Sequence, residues 1–243
     1  MADSSLVGAV LDLGQRLGKV LKTLPKENPF EAASEQKTAA SFLFEMHVLL
    51  GLLEGLRGRG WAISEAEPKA EPMRFLRAPG QKKGTTFFRA VKAPDDVQVV
   101  HGSGVLDRFG ATQHPDISIQ RGGTTLEPTV DDLVAMWDMK VTGDFDVPSN
   151  TRISRDEVAS FHYMASELGL PKPGQGDEAL EDFPIAFTVS GLIGNGQQPT
   201  TSSDSLLEKG FSCVAPYQDA KSFPRPLRDE HLATGAAAKS GVG

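Results

Sequence analysis

The chain has 243 residues, 39% of them hydrophobic and 23% charged, and a formal net charge of −7 at pH 7. This is the composition of a folded globular protein long enough to bury a core, and its acidity excludes a strongly basic nucleic-acid coat. A single cysteine, Cys213, excludes an internal disulfide framework or a cysteine-rich zinc site and fits a reducing compartment. No run approaches the roughly 20 apolar residues of a membrane span, and Met1-Ala2-Asp3 lacks the basic start of a signal peptide. A cytoplasmic protein with no membrane association is expected.

Residues 4–24 are predicted to form an amphipathic helix. Leu6, Val10, Leu13, Leu17, Val20 and Leu24 recur at helical spacing, and Pro25 ends the run. Asn28-Pro29 then signals a second helical region, expected to reach about Arg57 and to stop at Gly58-Arg59-Gly60. Residues 61–83 read as irregular. Strands are expected at Thr85–Lys92, Val97–His101, Pro115–Gln120 and Val134–Val141, with Arg121-Gly122-Gly123 as a turn before the last of these. A helix follows over 156–168, with Val158, Phe161, Ala165 and Leu168 on one face, then strands at Ile185–Ser190 and Phe211–Pro216. From about residue 233 the tail has nothing to bury and is expected to be disordered. The order implies an α/β domain over 31–232, with a central mixed sheet flanked by helices, between a helical segment (1–30) and a tail (233–243).

Several carboxylates occupy places where carboxylates are costly. His114-Pro115-Asp116 puts an acid at the mouth of a strand, and Met136-Trp137-Asp138-Met139-Lys140 puts an acid and a lysine two apart in an apolar run. Strand residues two apart share a face, so Asp138 and Lys140 point together with Met136, and Trp137 and Met139 point the other way. Burying such a pair costs several kcal/mol, order of magnitude, unless the charges are paired or bind a metal. Two carboxylates and a main-chain carbonyl are hard oxygen ligands of the kind Mg²⁺ takes, and a neighbouring lysine can orient the attacking water. The same spacing equally describes a structural Asp–Lys ion pair. On a helical projection with Phe42 at zero, Glu45 falls near about 300°, at the margin of the apolar stripe, whereas Glu54 and His47 fall on the wet side. Glu45 is therefore the acid expected to turn toward the core.

An acid on a helix (Glu45), Pro115-Asp116 opening a strand, Asp138-Met139-Lys140 on the next, and a helix behind them together resemble the PD-(D/E)xK, restriction-endonuclease-like superfamily. The resemblance spans about residues 40–190. It implies a restriction-endonuclease-like core in which Glu45, Asp116, Asp138 and the Met139 carbonyl hold Mg²⁺, or Mn²⁺ in its place. Lys140 would act on the nucleophilic water, and the implied activity is hydrolysis of phosphodiester bonds in DNA, in a setting such as bacterial defence, restriction or repair. A ribonuclease, or a nuclease fold that binds and assembles without cutting, are the alternatives.

Further candidates are softer. Between Pro72 and Pro94 lie Arg74, Arg77, Lys82, Lys83, Arg89 and Lys92 with no acidic residue, which describes either a solvated edge or a phosphate-contacting track. Lys82, Lys83 and Arg89 from this track, Arg108 in the loop after His101-Gly102-Ser103-Gly104, and His162 on the late helix are the candidate substrate contacts. The chain shows no phosphate-binding Gly-Lys-Ser/Thr loop, dinucleotide fingerprint, Gly-x-Ser-x-Gly elbow or metalloprotease histidine spacing. No helix-turn-helix, zinc finger or helicase module is visible, so nucleic-acid recognition is expected from loops, the N-terminal helix or a partner protein, and that helix also offers a face for a homodimer.

Overall fold

A computed structural model describes residues 39–66, 75, 80–83, 85–141, 152–170, 190–196, 211–214 and 217. The predicted helix over 4–24 and the tail lie outside these residues. The elements in chain order are α1 (Ala39–Gly58), β1 (Ala62–Ala66), β2 (Phe87–Lys92), β3 (Asp95–His101), β4 (Val105–Leu106), β5 (Thr112–Gln113), β6 (Ile117–Arg121), β7 (Leu133–Lys140), α2 (Arg155–Glu167), β8 (Gly191–Gly194) and β9 (Ser212–Val214). No helix among the described residues is long and apolar enough to cross a membrane.

Seven strands form one mixed sheet in the order β1-β2-β3-β6-β7-β8-β9, and β4 and β5 form a separate small hairpin. Neighbours from β1 to β7 are antiparallel, whereas β7, β8 and β9 run parallel. Parallel neighbours need a crossover, and α2 lies in the connection between β7 and β8. The expected mixed sheet flanked by helices is the observed architecture.

Each face of the sheet has its own core. On one side α1 packs Leu49, Leu53 and Leu56 against Val97, Val99, Ile117, Ile119, Trp137 and Met139. On the other, Val158, Phe161 and Ala165 of α2 pack with Leu133, Met136, Leu192 and Phe211. Trp137 and Met136 thus fall on opposite faces, as period-two alternation requires. Leu133 escapes that parity because the pairing runs Ile119–Ala135 and then Gln120–Leu133, which leaves Val134 as an extra residue in a bulge. Burial of each large apolar side chain of this kind contributes about 1.5–3 kcal/mol.

The helices begin and end for local reasons. Ser154 caps α2: its side chain accepts from the Glu157 amide while the Glu157 carboxylate accepts from the Ser154 amide. After α1, Gly60 turns the chain at φ 87°, which lets the Trp61 amide return to the Leu56 carbonyl at 3.1 Å.

Three expectations change. Residues 62–66, read as irregular, form β1 on the outer edge of the sheet. Of the strand expected at Ile185–Ser190 only Ser190 is described, and it lies outside a strand, just before β8 at Gly191–Gly194; residues 185–189 lie outside the described set. His47, placed on a wet face, is buried against Tyr217, with ring centroids 5.3 Å apart, because α1 is enclosed on nearly every side.

Candidate active site

The acids and the lysine meet at one end of the sheet, where β3 and β7 finish and β6 begins. Strand pairing between β6 and β7 stops at Ile117–Trp137. The Met139 amide, beyond that last pair, donates instead to Asp116 Oδ2 at 2.6 Å. This bond draws Asp116 against the end of β7, within hydrogen-bonding reach of Asp138. Met139 is thus tied to the site through its amide N–H, alongside the carbonyl expected as a ligand.

Asp138 and Lys140, on one face of β7, form an ion pair with Lys140 Nζ 2.7 Å from Asp138 Oδ2. Burial alone would depress the Lys140 amine. The Asp138 carboxylate, with Asp116 and Glu157 beyond it, overrides burial and raises it above its usual value. Lys140 is therefore a held cation at neutral pH. Asp116 shows the opposite stress: burial first, then the charge and hydrogen bond of Asp138, then the charge of Glu45, push its carboxyl up to about 9.

Glu45 approaches from α1, on the other face of the sheet. Its Oε2 lies 2.7 Å from Nε2 of the buried His101, the last residue of β3, and its Oε1 accepts from the Ser41 hydroxyl at 3.0 Å. His101 shares the parity of Val97 and Val99, which points it at α1 rather than at α2. The fourth wall is β8. A side chain at Gly194 would meet Ile153 Cδ1 at 3.1 Å and the Lys140 carbonyl at 3.2 Å, so glycine lets the residues before α2 close on the site.

Of the four residues expected to act together, Asp116, Asp138 and Lys140 adjoin, and Glu45 lies near enough for its charge to act on Asp116. Among the described residues, no three His, Cys, Asp or Glu side chains form a ready metal-holding group. Asp116 and Asp138 adjoin, but Glu45 is drawn to His101 and Ser41. The donor set still fits a divalent cation. Asp116 and Asp138 are hard oxygen donors, and the negative charge of Asp138 and Glu45, which adds to burial in lifting Asp116, is what a cation would relieve.

The expected substrate contacts are distributed differently. Lys82 is fully buried, its amine donating to Gln98 Oε1, to Gln120 Oε1 at 2.8 Å and to the Thr125 carbonyl at 3.2 Å. It also lies 4.4 Å from the centre of the Phe87 ring. As packed, it is an internal strut and does not present its charge to a phosphate. Arg89 pairs with Asp96, and the Lys92 amine donates to the Arg59 carbonyl, so two more members of the basic track have internal partners. Lys83 is exposed, and Arg74 and Arg77 lie outside the described residues. Arg108 reaches the Ser166 carbonyl at 3.4 Å, near the C-terminal end of α2, whereas Glu157 at the other end faces Lys140. His162 packs its ring 5.6 Å from that of Phe211. Neither Arg108 nor His162 joins the carboxylate cluster.

Two features escaped the sequence. The contact of His101 with Glu45 spans 56 positions and carries no local pattern. Arg152 and Arg155, exposed on either side of Ile153 and Ser154, stand beside the Lys140 wall. Their position depends on the crossover returning α2 to the end of β7. No family model, curated protein or solved structure matches the chain.

Proposed function

We propose that this protein is a metal-dependent nuclease that hydrolyses phosphodiester bonds in DNA through Glu45, Asp116, Asp138 and Lys140. One observation carries the reading: Asp116 at the start of β6 lies against Asp138 and Lys140 at the end of β7, and burial, then the charges of Asp138 and of Glu45 from α1, raises its carboxyl to about 9. A purely structural Asp138–Lys140 pair would need neither Asp116 nor Glu45 beside it. The succession of an acid-bearing helix, an antiparallel β3-β6-β7 unit, a helix and a parallel strand supports the restriction-endonuclease-like reading of the fold.

Asp116 and Asp138, with Glu45, would hold Mg²⁺ or Mn²⁺. When bound, such an ion lowers the pKa of a coordinated water and neutralises charge on a phosphoryl group. Lys140, fixed by Asp138, can donate to the attacking water or to a non-bridging phosphate oxygen. Because its amine is raised, its part is orientation and charge stabilisation rather than proton removal. The Met139 amide holds Asp116 in position against like charge.

The test is cleavage of supercoiled plasmid, single-stranded DNA and RNA with Mg²⁺ or Mn²⁺. Metal-dependent cutting of DNA that EDTA abolishes is expected. Cutting confined to RNA would replace the substrate and keep the site. No cutting of any of the three, together with no Mn²⁺ binding by calorimetry, would overturn the reading.

A further inference from the structure

Resting on the proposed metal site, we infer that His101 is a positioning residue, which orients the Glu45 carboxylate toward the metal without touching metal or substrate itself. A carboxylate only accepts hydrogen bonds, so the 2.7 Å contact makes His101 Nε2–H the donor and Glu45 Oε2 the acceptor. The other ring nitrogen, Nδ1, is buried with no hydrogen-bond partner. The rings of Phe42 and Phe75 meet the imidazole nearly at right angles, with centroids 5.8 Å and 6.3 Å away. One nitrogen is thus occupied by Glu45 and the other is enclosed, so no face of the ring is left for a ligand.

The grip on Glu45 is two-sided. Ser41 donates to Oε1 and His101 donates to Oε2, which fixes the plane of the carboxylate. A carboxylate has about four lone-pair sites, so roughly two remain for an ion after both bonds form. The Glu45 side chain is 17% exposed and that of His101 2%, so the carboxylate stays open to solvent while its anchor is buried. A long glutamate on a helix would otherwise sample several rotamers and bind an ion only at the cost of ordering. Partners that orient a ligand in this way typically change metal affinity by about 10–100-fold.

The experiment compares His101→Gln with His101→Met in the full chain. The two replacements have similar length and volume and differ in whether an N–H can reach Glu45. Mn²⁺ affinity is read by calorimetry, with thermal melting as a control on folding. His101→Gln is expected to bind Mn²⁺ within about threefold of wild type, and His101→Met about tenfold more weakly. Wild-type affinity in the methionine variant, or equal loss in both, would overturn the inference and reduce His101 to a packing role. Absence of Mn²⁺ binding in the wild type would overturn the metal site and the inference together.

Should the methionine variant not fold, the ring nitrogen resonances of His101 in the wild type decide, assigned by their loss in His101→Gln. They are expected to shift on Mg²⁺ addition, because Glu45 changes its partner set. No shift at a saturating concentration would overturn the inference.

Discussion

Asp116 Oδ2 accepts the Met139 amide at 2.6 Å, a bond that takes the place of the strand pairing that β6 and β7 no longer make. It holds Asp116 against the end of β7, beside Asp138, and so sets which two carboxylates share the space.

Asp116→Asn therefore separates folding from function. The substitution keeps an acceptor for the Met139 amide and removes a carboxyl whose ionised form burial and Asp138 oppose, so folding no longer has to protonate it at neutral pH. The metal-free variant is expected to melt at a higher temperature than wild type at neutral pH. A gain of 1 kcal/mol corresponds to roughly 2–4 °C in a chain of this size. Mn²⁺ should raise the melting temperature of wild type and leave that of Asp116→Asn in place. A metal-free variant that melts lower than wild type would mean that Asp116 is not electrostatically stressed.

Lys140→Met tests the cation. If Lys140 stabilises charge on the phosphate or orients water, plasmid cleavage should fall by about 10²–10⁴-fold. Mn²⁺ binding should persist, because Asp116, Asp138 and Glu45 are intact. Lys140→Arg keeps the charge and the pairing with Asp138, so it should recover part of the rate. Cleavage undiminished in Lys140→Met would assign the pair with Asp138 to structure alone.

Much of the site was legible because it depends on local periodicity. Period two placed Asp138 and Lys140 on one face and Trp137 on the other, and the helical projection turned Glu45 inward. The same projection put His47 in water because it assumes one buried face, and α1 is enclosed by the sheet on one side and Tyr217 on another. Lys82 was misread for a related reason. A lysine in a basic run reads as surface, and only tertiary structure brings Gln98, Gln120 and Thr125 around its amine. β1 was missed because Ala62–Ala66 is a five-residue edge strand with Ser64 exposed, too short and too polar to stand out from loop.

If the proposed function holds, Arg152 and Arg155 are the first basic residues to test as contacts to a nucleic-acid backbone. Both are exposed, and Ile153 between them packs over Gly194 at the site wall. Replacing both by alanine should weaken binding of a catalytically silent Asp116→Asn protein to DNA of any sequence. The slope of log affinity against log salt should fall by roughly 0.7–0.9 for each phosphate that the arginines no longer neutralise. Unchanged affinity and slope would move the substrate track to another edge, with exposed Lys83 the next to substitute.

Lys82 predicts the pH dependence of stability. Burial, opposed in part by the Asp132 carboxylate, lowers its amine from 10.5 to about 8. Below about pH 8 the amine is charged in both folded and unfolded chains, and the cost of burying that charge is fully present. Between about 8 and 10.5 the unfolded chain binds more protons than the folded one, so this group makes stability rise with pH. Above 10.5 the effect is complete, and its size is on the order of 3 kcal/mol. Lys82→Met should remove this rise. At pH 7 the variant leaves Gln98 Oε1, Gln120 Oε1 and the Thr125 carbonyl without their shared donor, a loss of about 1–3 kcal/mol. It is also relieved of burying the charge, so it should lie close to wild type at pH 7 and fall below it at pH 10. Urea unfolding of wild type and variant at pH 7, 8.5 and 10 reads both effects. A wild-type stability that falls no less steeply than the variant's across that range would show that Lys82 does not carry its charge in the interior.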